Sequence, residues 1–220
     1  YDIPGWHQAR RIGMPLMREK VGPDDVAEAR RAMQLEPDRP TLLVCGGSQG
    51  AGSINQTMIA LVNDGLFGPA IRPWQVLHLA GEKEAAAVAE AYEAANVTAR
   101  VLAYCDRMGC AWRSADVAVS RAGAGSVAEA WANRVPTVFL PYPFHRDQHQ
   151  KHNAAPMVEA GGAETVHDQI DPVANAQTLG PRLAGLMADP PIRAAMVQAL
   201  EATRPPDGAD EVAAWLLGRE

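Results

Sequence analysis

Short apolar runs alternate with helical patterns along most of this chain, and this alternation limits the possible folds more than any other feature of the sequence. Several of the runs contain no regular polar alternation, as expected for strands whose two faces are both covered by helices. Strands and helices that alternate in this way predict βαβ units on a parallel sheet. The sequence therefore predicts an α/β fold with a doubly wound parallel sheet.

The predicted elements divide the chain into a short first part and a long second part. Residues 1–40 predict a linker segment with one helix near residues 24–35, and residues 41–220 predict a single domain. The predicted strands span residues 41–45, 74–80, 100–104, 116–120, 137–140 and 164–167. The helices between them span residues 53–63, 82–95, 108–115, 126–133 and 149–160. After about residue 171 only helices are predicted, at residues 173–188, 192–202 and 209–217, with prolines between them.

Charge and aromatic content argue against one class of partner. The net charge is −6 and aromatic residues make up 5% of the chain, whereas a nucleic-acid surface requires basic clusters and stacking rings. We therefore expect no nucleic-acid partner, and any anionic ligand must be held by local groups.

Cysteine usage and the first residue indicate the setting of the chain. Cys45, Cys105 and Cys110 form no CxxC pair and lie on or beside apolar runs, which favours buried, reduced thiols and a cytoplasmic protein. No apolar stretch approaches the ~20 residues that a membrane-spanning helix needs. Because the chain begins with Tyr1, we expect it to be part of a longer protein.

The first unusual loop follows the strand at 41–45, at the edge where doubly wound sheets bind their ligands. It reads Cys-Gly-Gly-Ser-Gln-Gly from Cys45 to Gly50. Such glycines present consecutive N–H groups to a phosphate or a sugar at the start of a helix. The loop lacks the Gly-Lys-Ser/Thr of a P-loop. The alternative is a tight turn in which Ser53 caps the helix and Gln56 completes a capping box.

A second glycine turn follows the strand at 116–120 and reads Ser-Arg-Ala-Gly-Ala-Gly-Ser-Val-Ala-Glu up to Glu129. The amides from Ala124 to Ser126 would stabilise a diphosphate through hydrogen bonds and the helix dipole. Glu129, one turn further on, can accept from both hydroxyls of a ribose with its two oxygens. The alternative is local, because Ser126 and Glu129 also have the spacing of a capping box. Both interpretations can hold together.

Three of the six histidines lie after the strand at 137–140, which raises the question of a zinc site. His145, His149 and His152 have spacings that one helix face could gather. However, the proline and polar residues among them predict that the helix begins only near Gln148, which separates His145 from the other two. We therefore expect no metal here.

Two further features suit a sugar or a base. Gln150 and Asn153 each supply donors and acceptors that match sugar hydroxyls, and a solvated helix start is the alternative. The loop from Ala103 to Met108 ends a predicted strand, where backbone groups can read the edge of a flat base beside an adaptable methionine.

Taken together, these loops resemble, in order and spacing, the C-terminal half of the MurG family, the bacterial N-acetylglucosaminyltransferases that make lipid II for peptidoglycan. The matching motifs are Gly46–Gly50 with Asn55, Tyr104–Met108, Arg121–Glu129, and Asp147, His149 and Gln150 with Asn153-Ala154. The resemblance covers roughly residues 41–166. It implies a Rossmann-like domain with extra C-terminal helices, the UDP-sugar-binding half of a GT-B glycosyltransferase of family 28.

The resemblance also implies a donor-binding set whose members contact the uracil, ribose, phosphates or sugar of UDP-N-acetylglucosamine. These residues are Cys105 and Met108 at the uracil, Glu129 at the ribose, Ala124, Gly125 and Ser126 at the diphosphate, Ser48 and Gln49 near the phosphates, and His149, Gln150 and Asn153 at the sugar. No metal and no other cofactor is expected.

In the family an acceptor hydroxyl attacks the anomeric carbon with inversion, and negative charge grows on the UDP leaving group. The general base and the surface for the lipid-linked acceptor lie in an N-terminal domain that this chain lacks. The catalytic base is therefore unknown here. We expect negligible transfer by the isolated chain, and contact with the inner face of the cell membrane only through the missing domain.

Two departures and three alternatives accompany the resemblance. Where the family linker commonly reads Gly-Asn-Pro-Val-Arg, this chain has Gly13-Met-Pro-Leu-Met17, with Arg18 one place late. The other departure is His149, where some members of the family carry glutamine. The alternatives are the donor half of a transferase with another acceptor, a UDP-sugar hydrolase or epimerase that uses Asp147, and a nucleotide-sugar-binding module without catalysis.

Overall fold

A computed structural model describes residues 12–46, 52–144, 148–203 and 208–218 of the chain. Its centre is a parallel sheet of six strands in the order β3-β2-β1-β4-β5-β6. The strands are β1 (Thr41–Cys45), β2 (Gln75–Leu79), β3 (Ala99–Leu102), β4 (Val117–Ser120), β5 (Thr137–Phe139) and β6 (Ala163–Thr165). The predicted doubly wound α/β fold is confirmed.

Helices follow the strands in alternation within the described residues. They are α1 (Val26–Ala32), α2 (Gly52–Asn63), α3 (Ala85–Ala94), α4 (Met108–Arg113), α5 (Ala124–Ala132), α6 (His149–Glu159), α7 (Pro172–Ala188), α8 (Pro190–Thr203) and α9 (Gly208–Leu216). Short 3-10 turns occur at Arg18–Lys20 and Gly68–Ile71. In the part of the chain that the structure describes, no helix is both long and apolar enough to cross a bilayer.

The apolar runs form strands because both sheet faces are buried. Along β1, Leu42 and Val44 join the core on one face, whereas Leu43 and Cys45 join the core on the other. The first core is packed by α2, α3 and α7, and the second by α4, α5 and α6. A strand whose side chains pack into a core on each face of the sheet favours apolar residues at successive positions, which explains the runs without polar alternation.

Several predicted helices are shorter in the structure than the sequence indicates, and α1 and α3 differ most. Helix α1 begins where the side chain of Asp25 accepts from the amide of Ala27, and it ends before Gln34, whose φ is +53°. Helix α3 begins only at Ala85, because Gly81 turns the chain with a φ of +82° after β2. Local capping groups and left-handed residues therefore set these boundaries.

Helix α9 packs against the segment that precedes α1. The amide of Gly13 donates to Oε2 of Glu211 at 2.6 Å, and a Cβ on Gly208 would lie 1.9 Å from the carbonyl oxygen of Gly13. Trp215 and Leu216, further along α9, are 60% and 72% exposed. The two ends of the described chain thus meet on one side of the molecule.

Because all six strands are parallel, their carboxyl ends lie at one edge of the sheet. Every glycine turn and polar loop that the sequence singles out follows one of these ends. The edge is therefore the place where those loops can converge on one ligand.

Candidate functional site

The turn after β4 leads directly into the start of α5. Gly123 is the residue before the helix, with a ψ of 148°, and none of the described side chains caps this start. Ala124, Gly125 and Ser126 form the first turn, where the backbone amides of a helix have no partner within the helix. Ala124 is exposed and the other two are half-exposed. These amides can therefore bind an anion at the carboxyl edge of the sheet.

Glu129 lies one turn further along α5, and other elements hold its carboxylate. Its Oε2 accepts a hydrogen bond of 2.7 Å from the indole Nε1 of Trp112, and its Oε1 lies 3.5 Å from the ammonium of Lys20. The carboxylate does not reach back to the helix start, and Ser126 is the third residue of α5 rather than its cap. The capping-box alternative for this pair is wrong.

The first glycine turn is only partly described, because Ser48 and Gln49 lie outside the described residues. Ser53 is the second residue of α2, and its hydroxyl donates to Oδ2 of Asp168 at 2.7 Å. The side-chain Nε2 of Gln56 donates to Oε1 of Glu84 at 3.1 Å. Neither side chain completes a capping box, so that alternative is also wrong.

The loop after β3 places Cys105 and Met108 beside each other at the edge. Cys105 is buried, and its burial raises the pKa of its thiol. Met108 is half-buried and begins α4, while Tyr104 is 77% exposed. The strand predicted at 100–104 is found at Ala99–Leu102, so Cys105 lies in the loop after β3, between the exposed ring of Tyr104 and the start of α4.

The third predicted loop leads into α6, which begins at His149 after Gln148 in a left-handed conformation. Oε1 of Gln150 accepts from the amide of Tyr142 at 2.9 Å, so this side chain orders its own loop. Nδ2 of Asn153 donates to the carbonyl of Ala122 at 3.1 Å, which ties α6 to the turn after β4. His149 is half-buried. The structure therefore brings the loops after β4 and β5 into contact.

The histidine cluster that raised the zinc question is only partly visible. His145 and Asp147 lie outside the described residues, and His149 and His152 both belong to α6. Within the described ranges, no group of three His, Cys, Asp or Glu side chains is arranged to hold a metal ion.

The cysteines are reduced thiols in the structure. Cys45 and Cys105 are buried as predicted, but Cys110 is only partly buried, because it lies on a less covered side of α4. Burial raises the pKa of Cys45 to about 12, so this thiol remains protonated and unreactive at neutral pH.

A buried ion pair that the sequence analysis missed joins three of the loops. Arg121, directly after β4, donates from Nη1 to Oδ2 of Asp168 at 2.7 Å and to the carbonyl of Leu140 at 2.8 Å. The other oxygen of Asp168 accepts from the amide of Ile170 and from Nδ2 of Asn175. Together with Ser53, this network fixes the starts of α2 and α5 relative to each other. The only signal in the sequence is that opposite charges follow two parallel strands.

The carboxylate of Asp168 is nearly inaccessible to solvent. Burial by itself raises its pKa, but hydrogen bonds from Ser53, Asn175, Ile170 and Arg121 outweigh this effect and hold the pKa below its ordinary value. Asp168 is therefore charged at neutral pH.

A second buried hydrogen-bond network joins the first turn of α2 to β2 and α3. Nε2 of His78 lies 2.9 Å from Oδ1 of Asn55, and Nδ1 lies 3.1 Å from the hydroxyl of Tyr92. Asn55 also donates to the carbonyl of Ala80 and to Glu84. Burial lowers the pKa of His78 to about 3, so the ring is neutral at physiological pH. Asn55, which belongs to the first of the family motifs, therefore has a buried partner on β2, the ring of His78.

The chain is similar in sequence to proteins of one known family. A family model described as the glycosyltransferase family 28 C-terminal domain matches residues 41–212. A protein from Leifsonia xyli subsp. xyli, named UDP-N-acetylglucosamine--N-acetylmuramyl-(pentapeptide) pyrophosphoryl-undecaprenol N-acetylglucosamine transferase, is 40% identical over 94% of this chain and 55% of its own length. A protein of the same name from Nocardioides sp. is 41% identical over 73% of this chain and 43% of its own length.

A solved structure shares the fold. The crystal structure of Acinetobacter baumannii MurG superposes with a TM-score of 0.68 and 24% sequence identity, over 95% of this chain and 56% of that one. The chain thus spans about half the length of the curated relatives that it matches.

Proposed function

Since the chain belongs to the family of glycosyltransferase family 28 C-terminal domains, we propose that residues 41–220 form the donor-binding half of an inverting N-acetylglucosaminyltransferase. Residues 1–40 are the linker segment that precedes this domain. The donor is UDP-N-acetylglucosamine and the acceptor is lipid-linked, which the names of the two relatives support. The acceptor surface and the contact with the inner face of the membrane belong to a part of the protein outside this chain.

The observation that carries the proposal is the arrangement of Glu129 on α5. Its carboxylate lies one turn from the uncapped amides of Ala124 to Ser126, and Trp112 orients it through a hydrogen bond of 2.7 Å. A nucleoside diphosphate needs both groups, because its ribose offers two hydroxyl donors and its phosphates require N–H donors. The distance of one helical turn matches the step from ribose to phosphate.

We assign the remaining members of the donor-binding set to loops and helix starts at the same carboxyl edge of the sheet. Cys105, in the loop after β3, and Met108, at the start of α4, face the uracil in this assignment, and α6 supplies His149, Gln150 and Asn153 for the N-acetylglucosamine. Ser48 and Gln49 complete the set near the phosphates. The hydrogen bond from Asn153 to the turn after β4 supports this assignment, because it keeps the sugar and phosphate groups at a fixed spacing.

In the proposed chemistry, no residue of this chain gains or loses a proton. As the bond from the anomeric carbon to the diphosphate breaks, negative charge grows on the leaving group. Amides at the start of α5, fixed through the Arg121–Asp168 pair, stabilise that charge without reorganisation. The general base that deprotonates the acceptor lies outside this chain, so the chain alone binds the donor and transfers negligible sugar.

A calorimetric titration of this chain tests the proposal. The ligands are UDP-N-acetylglucosamine, UDP-glucose and UDP, with EDTA present throughout. We expect binding without metal and a preference for the N-acetylated sugar. Equal affinity for all three ligands would contradict the assigned sugar specificity, and it would place the choice of sugar outside this chain.

The variant Glu129→Ala examines the central observation directly. Loss of two charge-assisted hydrogen bonds should weaken UDP binding by roughly a hundredfold or more, with the fold intact by circular dichroism. Glu90→Ala is the matched control, because Glu90 is exposed on α3, away from the carboxyl edge. If Glu129→Ala bound UDP as well as the original chain, the ribose assignment would be wrong.

A further inference from the structure

Lys20 brings a positive charge into the candidate nucleotide site from the segment that precedes the domain. It ends the 3-10 turn Arg18–Lys20, and its Nζ lies 3.5 Å from Oε1 of Glu129. The two side chains are only 26% and 13% exposed. The pair is therefore partly shielded from solvent, where a charge interacts more strongly than it does on an open surface.

The backbone around Lys20 is fixed to the domain by hydrogen bonds. Nδ2 of Asn133 donates to the carbonyl of Lys20 at 2.9 Å and to the carbonyl of Glu129 at 2.8 Å. The amide of Gly22 donates to Oδ1 of the same asparagine at 2.8 Å. One side chain thus joins the segment to the helix that carries Glu129.

Close backbone packing holds the same segment against α4. A Cβ on Gly22 would lie 2.4 Å from the carbonyl oxygen of Gly109, and a Cβ on Gly109 would lie 2.6 Å from that of Glu19. Only glycine fits at both positions. The backbone of Lys20 is therefore docked on α4, and its ammonium lies within reach of Glu129 from that fixed backbone.

The charge of Lys20 also acts on Cys105, in the loop after β3. Burial raises the pKa of the Cys105 thiol, and the Lys20 ammonium makes a smaller contribution in the opposite direction. The contact with Glu129, which the proposed function assigns to the ribose, remains the observation that places Lys20 in the site.

A cation at this place resolves an electrostatic conflict in the site. Glu129 suits the ribose hydroxyls, but its negative charge repels the diphosphate of the same ligand. An ammonium held beside the carboxylate offsets this repulsion and attracts the phosphates. Of the two cations in the 3-10 turn Arg18–Lys20, Arg18 is exposed and Lys20 is the one that contacts Glu129.

We propose that Lys20 is a nucleotide-binding residue, whose ammonium group, positioned by Asn133 and the Gly22–Gly109 contact, neutralises Glu129 and attracts the phosphates of the bound nucleotide. This inference rests on the proposed function, because it needs a nucleoside diphosphate at Glu129. It adds a binding residue from outside the sheet and its loops. It also makes nucleotide affinity depend on how the preceding segment docks.

The test compares ligands that share the nucleoside and differ in the number of phosphate groups, and therefore in charge. Uridine, UMP and UDP are titrated into the original chain and into the variants Lys20→Met, Lys20→Arg and Arg18→Met. Arg18→Met is the matched control, because it removes the same formal charge from the same turn. Thermal melts of all variants establish that each is folded at the titration temperature.

We expect Lys20→Met to weaken UDP binding about tenfold, as for one partly screened pair of unit charges. Its affinity for uridine should change less than about twofold, because uridine carries no charge, and UMP should fall between the two. Lys20→Arg should restore most of the UDP affinity. Arg18→Met should leave all three affinities within about twofold.

Two results would overturn the inference while leaving the proposed function intact. Equal losses for uridine and UDP in Lys20→Met would show that the lysine only orients Glu129, and unchanged UDP affinity would show that it does not act on the ligand. Failure of the original chain to bind UDP would overturn both proposals. Unchanged UDP affinity in Glu129→Ala would overturn the ribose assignment whatever Lys20→Met does.

Discussion

Replacing Asp168 with asparagine removes one charge from an ion pair whose carboxylate is 0% and whose guanidinium side chain is 9% exposed. The shape of the side chain is conserved, so no cavity is created. The carboxylate accepts from four donors, namely Arg121, Ser53, Asn175 and the amide of Ile170. An asparagine offers one oxygen, and its NH2 group must face donors at the other position.

The cost of this change follows from the partners that remain. Breaking a buried ion pair by removing one partner costs about 3–5 kcal/mol. Arg121 keeps its bond to the carbonyl of Leu140, which softens the loss. We therefore expect Asp168→Asn to lower the free energy of unfolding by about 3 kcal/mol at pH 7.

The same difference should depend on pH in a defined direction. The pKa of Asp168 in the folded chain lies below its ordinary value, because its hydrogen bonds outweigh the effect of burial. The stabilisation by the charged form is therefore complete above the unfolded pKa of about 3.9, and it is lost as pH falls through the folded value. The gap between the original chain and Asp168→Asn should shrink below about pH 4.

Urea denaturation at pH 7 and at lower pH measures both effects, with the buried tryptophans Trp74, Trp112 and Trp131 as fluorescence probes. Asp64→Asn is the matched control, because Asp64 is exposed after α2 and its replacement should cost less than about 0.5 kcal/mol. A cost below about 1 kcal/mol for Asp168→Asn, or a gap that does not shrink in acid, would refute the reasoning.

Two further predictions concern the support of Glu129 and Lys20. Trp112→Phe removes the 2.7 Å indole bond to Glu129, so UDP affinity should fall several-fold by calorimetry. The control is Trp131→Phe, because the indole of Trp131 donates to the carbonyl of Leu200 and not to Glu129; this variant should bind UDP normally. Equal losses of UDP affinity in Trp112→Phe and Trp131→Phe would contradict a specific role for Trp112. Gly109→Ala places a Cβ 2.6 Å from the carbonyl oxygen of Glu19. It should therefore lower the free energy of unfolding, measured by urea denaturation, by about 2 kcal/mol, and it should also weaken UDP binding. Gly185→Ala has open space around it and should not destabilise the chain; a similar result for Gly109→Ala would refute the docking argument.

Local sequence patterns predicted the helices and strands well, because the apolar residues of each element show which of its faces is buried. The strand at 41–45 is found at Thr41–Cys45, and the helix predicted at 149–160 is found at His149–Glu159. A run that contributes to two cores is apolar throughout, and this signal needs no knowledge of its neighbours. The strand order, in contrast, depends on the crossover connections, and the sequence indicated only the doubly wound class.

The helix starts show where spacing misleads. Ser126 and Glu129 have the separation of a capping box, but α5 begins two residues before Ser126 because Gly123 is extended. Ser53 likewise lies inside α2, where its hydroxyl binds Asp168. A capping motif is defined by where the helix begins, and that point depends on how the preceding turn packs.

The sequence by itself determined the α/β fold and the glycine turn before Ala124, and it singled out Glu129 as the proposed ribose ligand, because each depends on neighbours within a few positions. Only the tertiary structure decided which distant groups act on Glu129. Trp112 and Lys20 hold the carboxylate, and Arg121 pairs with Asp168, through contacts between residues far apart in the chain. Such pairs carry no periodic signal, since their geometry exists only after the sheet has brought its loops to one edge.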